Sequence, residues 1–363
     1  MRARGFSIVE LMVAVTMALM VTAGVLAVFV ASRSSFQATA GTASLADGGR
    51  FALDFIQNSV RSAGYMACNT TQRQLSLLNA GPTPLYYNFS QALAGYEANG
   101  TAPGSAFTVS ATPVAPDTIT GDWVSGLDGA LAGLVVKNND VLVVYSTLRN
   151  AQSVYVTTIV DGASNFVVNG QGGLLAHQLA VISDCAKSAV MWITGVSGSS
   201  PGVTVTHNAG GSPGNSAAAL PVSFEVGSQV TPVDTTVFYI GQGADGDGAL
   251  FSYDLNGGST FTANELVPDI EAMQVLYGLD TNGTQTVSDY VTADQVPIVN
   301  PANGFNAVIS VKVAVLAASP PGAVHLPKVA STYSLLGTSV TAPLDTRQRQ
   351  VFEITISVRN SAP

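Results

Sequence analysis

Residues Gly5 to Ala31 read GFSIVELMVAVTMALMVTAGVLAVFVA, and only Met1-Arg2-Ala3-Arg4 precede them. From Phe6 onward the run holds a single charge, Glu10. As a helix rising ~1.5 Å per residue, about 26 residues reach ~39 Å, enough to cross a bilayer with some tilt. This run constrains the chain most, because so long an apolar stretch is satisfied only inside a membrane or a large core. Arg2 and Arg4 stand before it and Arg33 after it. The short basic leader favours keeping the N-terminus in the cytoplasm and exporting the remainder.

Glu10 sharpens the reading. A carboxylate in an apolar transmembrane helix costs about 2.5–3.5 kcal/mol on insertion scales, so it calls for a partner. One reading is a plain signal anchor that tolerates Glu10 near the interface. The whole arrangement, a basic leader, then Gly5, Phe6, Glu10 and Leu11, then the apolar run, resembles the type IV prepilin signal. In that family a membrane aspartyl protease cuts after the glycine and methylates the new N-terminal residue. The resemblance implies cleavage between Gly5 and Phe6 and N-methylation of Phe6. It also implies that Glu10 pairs with the N-terminal amine of a neighbouring subunit. Glycine suits such a site because no side chain obstructs close approach. A secretory signal is instead cut after its apolar region, and none of the A-x-A type is evident there.

The chain has 363 residues, enough for one or two domains with a substantial core. Only 10% of residues are charged, and 36 are glycine. Such a composition fits an exported β-rich protein with long polar loops better than a cytosolic enzyme. The net charge of −9 becomes −11 once Arg2 and Arg4 are removed. So acidic a chain has no electrostatic footprint for nucleic acid. Cys68 and Cys185 are the two cysteines. An oxidising compartment favours a disulfide over a metal site, with two unpaired thiols as the alternative. Closing that loop stabilises by about 4.7 kcal/mol in the chain-entropy model.

After Ala31 the helical pattern continues with more polar residues to Gly64. Phe51 and Phe55, and Ile56 and Val60, are four apart and form an apolar stripe beside Arg50, Asp54, Asn58 and Arg61. Gly41, Gly48 and Gly49 predict a break or kink, and Gly64 a C-terminal stop. Two helices separated at the glycines is the alternative. The segment Arg50 to Cys68, with Arg50, Asp54, Arg61, Ala63, Gly64, Tyr65 and Cys68, resembles the region after the membrane helix in PilW-type minor pilins. So do Leu266–Asp280 and the closing Arg359–Asn360 pair. The resemblance spans residues 5–68 and 235–360 and is weak between. One departure is that the apolar run lacks the proline many major pilins carry.

Between Asn69 and Leu220 turn formers are dense. Strand-like runs are Leu134–Ser146, Val154–Val160, Phe166–Val168 and Val190–Val196. Asn138-Asn139-Asp140 predicts a hairpin turn, and Ser197–Ala219 a loop around one strand at Val203–Thr206. Further on, Val222–Val226, Thr235–Ile240, Ala249–Tyr253, Ala307–Leu316 and Val351–Arg359 read as strands, with Ile270–Gly278 ambiguous.

The expected fold is α+β: a long N-terminal transmembrane and amphipathic helix packed on an antiparallel β-sheet head, pilin-like, with a β-rich middle insertion. The expected divisions are a leader at 1–5, a transmembrane helix at 6–31, its continuation at 32–64, a variable β-rich region at 65–220 and a C-terminal sheet region at 221–363.

Several motifs carry less than they suggest. Gly241-Gln-Gly-Ala-Asp-Gly246 matches G-x-G-x-x-G but precedes turn and strand residues, not the helix a phosphate needs. Asp245, Asp247 and the Asp280–Asp289 stretch offer oxygen ligands that suit calcium or plain turns. His177, His207 and His325 lack metal-binding spacing. No cofactor, metal or catalytic group is expected.

What the resemblance implies is a structural subunit: a minor pilin in the complex that primes a type IV pilus and sits at its tip, supporting adhesion and twitching motility. Its implied partners are the prepilin peptidase, other minor pilins, the major pilin, the inner membrane and a tip adhesin. Its location would be the inner membrane with a periplasmic head before assembly, and the fibre afterwards. Two alternatives remain open: a minor pseudopilin of type II secretion, and an exported enzyme or binding domain on a membrane anchor.

Overall fold

The computed structural model describes residues 7–68, 74–79, 84–113, 115, 121–255, 258, 261–299, 303–322 and 330–360. A single helix, Ile8–Ser62, runs 55 residues without interruption. The kink expected at Gly41, Gly48 and Gly49 is absent. Those glycines fall instead where the helix meets the head. Gly41, Leu45, Gly49, Ala52, Leu53, Ile56 and Val60 are buried, three or four apart, and form one stripe. The lost helix propensity of glycine is offset by the close approach it allows. A Cβ on Gly49 would lie 2.6 Å from Cγ of Phe352, inside its ring's van der Waals surface. The helix stops where expected. Ala63 is the C-cap, and Gly64 takes φ +71°, the left-handed conformation glycine adopts at helix ends.

The head is antiparallel-rich. A four-stranded sheet comprises Asp289–Val291, Ile270–Leu279, Val308–Ala318 and Arg349–Ser357, in that order. The ambiguous Ile270–Gly278 segment is therefore a strand. The helix lies against this sheet, and a core of Leu45, Leu53, Ile56, Met273, Val275, Val313 and Ile356 fills the interface.

A second, twelve-stranded sheet is threaded by one long strand, Gln229–Gln242. Its first residues pair with Gln178–Ser183 and Val154–Ile159. Its later residues pair with Val141–Thr147 on one side and Gly248–Asp254 on the other. Both faces of this strand are covered. Phe238 and Ile240 join the core under the helix, while Val233, Val237 and Tyr239 join a second core with Trp123, Tyr145 and Trp192. A third core lies around Phe166, Val168, Met191 and Val205 in the middle of the chain. The α+β expectation of a long helix on antiparallel sheet is thus what the chain forms.

Local expectations differ in places. Leu134–Lys137 is not a strand, so Asn138-Asn139-Asp140 turns no hairpin. Val136 donates its amide to Ile240 as an isolated contact instead, 2.8 Å. Val222–Val226 is likewise irregular, although Phe224 is buried. The expected Ser197–Ala219 loop carries the strand Gly202–Thr206 and, at its start, the end of Gly195–Ser199. Gln178–Ser183 and Thr262–Pro268 were not anticipated. The first has only four apolar residues, Leu179–Ile182, between polar Gln178 and Ser183, and the second alternates too weakly to stand out.

Candidate assembly interface

The helix divides into two halves by exposure. Residues 7–36 are exposed throughout, and an 18-residue window there averages a hydropathy of 2.5 with none of it buried. Ile8, Met20, Val28 and Phe36 are each more than 70% exposed. In water such a surface is unstable, so this half is built for lipid or for other apolar helices. Glu10 sits exposed in its first turn. Gly5 and Phe6 lie outside the described residues.

The second half is fixed to the head along its length. The Thr42 hydroxyl donates to Gln348 Oε1 at 3.0 Å. Arg149 donates to Ser59 Oγ at 3.1 Å, and Gly64 donates its amide to Tyr145 at 2.8 Å. At the far end Asn360 Nδ2 donates to the Ala63 carbonyl at 3.2 Å. Beside the helix, Phe51 and Phe55 border an apolar groove of about 490 Å³ against Leu266, Val267 and Pro268.

Cys68 and Cys185 are joined by a disulfide. It ties the segment leaving the helix to the turn between Gln178–Ser183 and Ser188–Ile193, closing a loop of 117 residue steps. Ser183 Oγ lies 3.6 Å from Cys68 Sγ and accepts the Cys185 amide at 3.3 Å.

Two charged clusters in the head escaped sequence reasoning. At one end of the last strand, Arg347 pairs with Asp247 at 3.2 Å and with Asp269, and lies 3.7 Å from Glu271. Arg349 is bidentate to Glu271 at 2.6 and 2.9 Å and also holds Asp345 at 2.6 Å. Burial opposes the Arg349 charge, but the hydrogen bonds it donates to Asp345 and Glu271 hold its pKa above the ordinary arginine value. Arg349 hydrogen bonds in turn hold Asp345 below the usual carboxylate range. The signal was present: Asp345-Thr-Arg-Gln-Arg is a dense charge run in a chain only 10% charged.

The second cluster joins the two sheets. Asp140 accepts the amides of Ala98 at 3.0 Å and Val275 at 2.8 Å, and Asn139 Oδ1 accepts that of Met273 at 2.8 Å. The residues expected to turn a hairpin thus bridge the strand Ile270–Leu279 to the neighbouring sheet. Glu97 is 4% exposed and accepts the Thr101 hydroxyl at 3.2 Å. Burial, then the nearby Asp140 charge, raise its pKa well above the carboxylate range. Burial also raises that of Asp140, against the pull of its two backbone amides. Two carboxyl groups so close in a dry interior hold a proton at neutral pH.

The motifs set aside on sequence grounds behave as turns. Gly241–Gly246 closes a hairpin between Gln229–Gln242 and Gly248–Asp254, with no helix after it. Asp280 spends its carboxylate on the amides of Asn282, Thr284 and Gln285, at 3.1, 3.1 and 2.7 Å. Those donors occupy the oxygens a calcium ion would need. His177 is exposed at φ +64°, whereas His207 is buried against Phe166. Burial lowers the His207 pKa, so its imidazole stays neutral. His325 lies outside the described residues. Among the described residues no group of three or more His, Cys, Asp or Glu is arranged to hold a metal ion.

Comparison with known proteins gives one family. No curated protein matches the chain. Among solved structures, a type IV-like pilin from Thermus thermophilus matches 52% of this chain and 87% of its own, at 18% identity and a TM-score of 0.24. The family model for PilW, Type IV Pilus-assembly protein W, matches residues 237–360. That span begins within the long central strand and ends at Asn360, which hydrogen-bonds the end of the helix. The likeness to PilW, Type IV Pilus-assembly protein W, thus lies in residues 237–360, the C-terminal part of the chain.

Proposed function

We propose that this chain is a minor pilin, a non-catalytic subunit of the complex that primes a type IV pilus and caps its tip. The observation that carries the reading is the pairing of a PilW C-terminal region with an N-terminal helix whose first half is apolar and wholly exposed. An apolar helix held rigidly to a folded head is what a subunit needs to wait in a membrane and then pack among other helices. In this reading the prepilin peptidase cuts between Gly5 and Phe6 and methylates Phe6. The divisions at 6–31, 32–64, 65–220 and 221–363 then correspond to membrane anchor, helix stem, variable head and sheet region. Before assembly the head is periplasmic and the helix crosses the inner membrane; afterwards both lie in the fibre. Partners are other minor pilins, the major pilin and a tip adhesin.

Glu10 supplies the test. Once the leader is removed, the Phe6 amine and the Glu10 carboxylate are the charges at the start of an apolar helix. Stranding one partner of such a pair in a dry environment costs about 3–5 kcal/mol. Glu10→Ala should therefore leave leader removal intact but reduce recovery of the protein with other pilins. Co-purification, measured beside N-terminal processing, reads both. Normal cleavage together with wild-type assembly would mean that Glu10 is only tolerated and sets no register between subunits.

A further inference from the structure

The sheet face beneath the helix changes character along its length. On Val141–Thr147 the inward residues run Leu142, Val144, then Ser146; on the central strand they run Ile240, Phe238, Thr236, then Asp234. Register places Asp234 beside Ser146, and Thr236 beside Asp254. On the next two strands Leu250 gives way to Ser252 and Asp254, and Val267 to Asn264. Four neighbouring strands thus switch from apolar to polar at one level. A face closed only by its own helix would gain from staying apolar, since buried polar groups need partners.

At that level the helix and sheet part to form an open cleft of about 710 Å³. The size falls within the ~300–1,000 Å³ of small-molecule sites. Its floor carries Asp234, Thr236, Ser252, Asp254 and Asn264, and its helix wall carries Asn58, Ser59 and Ser62. Arg149 and Asn150 form the rim, with Arg149 reaching across to Ser59. The half-buried Phe55 stands at the apolar end, above the buried Phe238 of the core. Asp254 Oδ2 already gathers Ser252 Oγ at 2.7 Å and Asn264 Nδ2 at 3.2 Å, so carboxylate, hydroxyl and amide are held in one cluster.

We infer that this cleft is a binding site for a neutral carbohydrate. Sugar hydroxyls both donate and accept, and they match a lining of carboxylates, hydroxyls, amides and one guanidinium. A cation would require acceptors alone, whereas this lining is rich in donors. Two aspartates against one arginine disfavour an anion. The half-buried Phe55 ring suits the C–H face of a pyranose. The site does not depend on the role of the N-terminal helix in assembly.

The test uses the full chain, solubilised in a detergent without a sugar headgroup. It is applied to a printed array of neutral mammalian, plant and bacterial-envelope oligosaccharides, and the retained glycan is then titrated. The wild-type chain should retain a neutral glycan, and Asn264→Ala and Asp254→Asn should each bind it roughly tenfold or more weakly, with Tm unchanged. If either variant loses Tm, Thr236→Val keeps the volume, removes one floor hydroxyl and should still weaken binding. Retention of no neutral glycan, or retention that survives all three substitutions, would overturn the assignment.

Discussion

Gly48 and Gly49 are neighbours in one helix, yet alanine at the two should act in opposite directions. At Gly48 an added Cβ meets only Val267 Cγ1, at 3.6 Å, an ordinary van der Waals contact. Alanine there gains helix propensity, about 0.5–1 kcal/mol, with no steric penalty. At Gly49 the added Cβ lies 2.6 Å from Phe352 Cγ and overlaps the ring further out. The ring is half-buried between the helix and the last strand, so it must leave its rotamer or push the helix outward. Overpacking of this kind costs about 1–3 kcal/mol, which outweighs the same propensity gain at most sites in that range. The expected net loss for Gly49→Ala is ~1–2 kcal/mol, and for Gly49→Leu more. Phe352→Ala should remove the penalty, so the double variant Gly49→Ala/Phe352→Ala should show a coupling of about 1 kcal/mol or more. Urea unfolding of the detergent-solubilised chain, followed by near-ultraviolet circular dichroism, reads each variant. If Gly49→Ala stabilises as much as Gly48→Ala, the helix does not approach the sheet closely and the docking described here is wrong.

Other consequences are equally direct. Cys68→Ser/Cys185→Ser should lower stability by about 2–5 kcal/mol, and non-reducing peptide mapping of the wild type should recover the linked pair; two freely alkylated thiols would contradict the bond. Arg349→Ala leaves Glu271 and Asp345 without their shared cation and should cost about 3–5 kcal/mol, whereas Arg349→Met with Glu271→Leu and Asp345→Asn should recover most of it. Glu97 keeps its proton in the folded state and releases it when unfolded, so its contribution is present below the ordinary carboxylate range. That contribution is lost as pH rises through neutral toward the raised folded value. Stability should therefore fall by at most about 1.4 kcal/mol per pH unit from this group, and Glu97→Gln should flatten the profile; an unchanged slope refutes the shared proton. Gly5→Leu should leave the leader uncut, as judged by the mass of the membrane-bound form.

Much of this architecture can be read from the chain before its structure. The apolar run from Phe6 and the four-residue spacing of Ile56 and Val60 specify a helix with one docking stripe. Strands such as Val308–Ala318 and Arg349–Ser357 show themselves through runs of valine and isoleucine. The glycines misled because local propensity disfavours them in a helix, while their use lies in a tertiary contact with Phe352 that no local pattern encodes. Asn138-Asn139-Asp140 misled for a related reason. Its turn chemistry is real, but the side chains serve amides more than 130 residues away, at Met273 and Val275. The polar cleft was hidden because Asp234, Thr236 and Ser252 look like ordinary outward residues until the register aligns them.

The central claim is that the exposed apolar half of the helix is the mature N-terminus of an assembled pilin. Mass spectrometry of the intact N-terminus, taken from fibres sheared off the cell surface, tests it most directly. The prediction is a chain beginning at Phe6 and carrying one methyl group on its amine. A chain found only in the membrane fraction and still beginning at Met1 would contradict it.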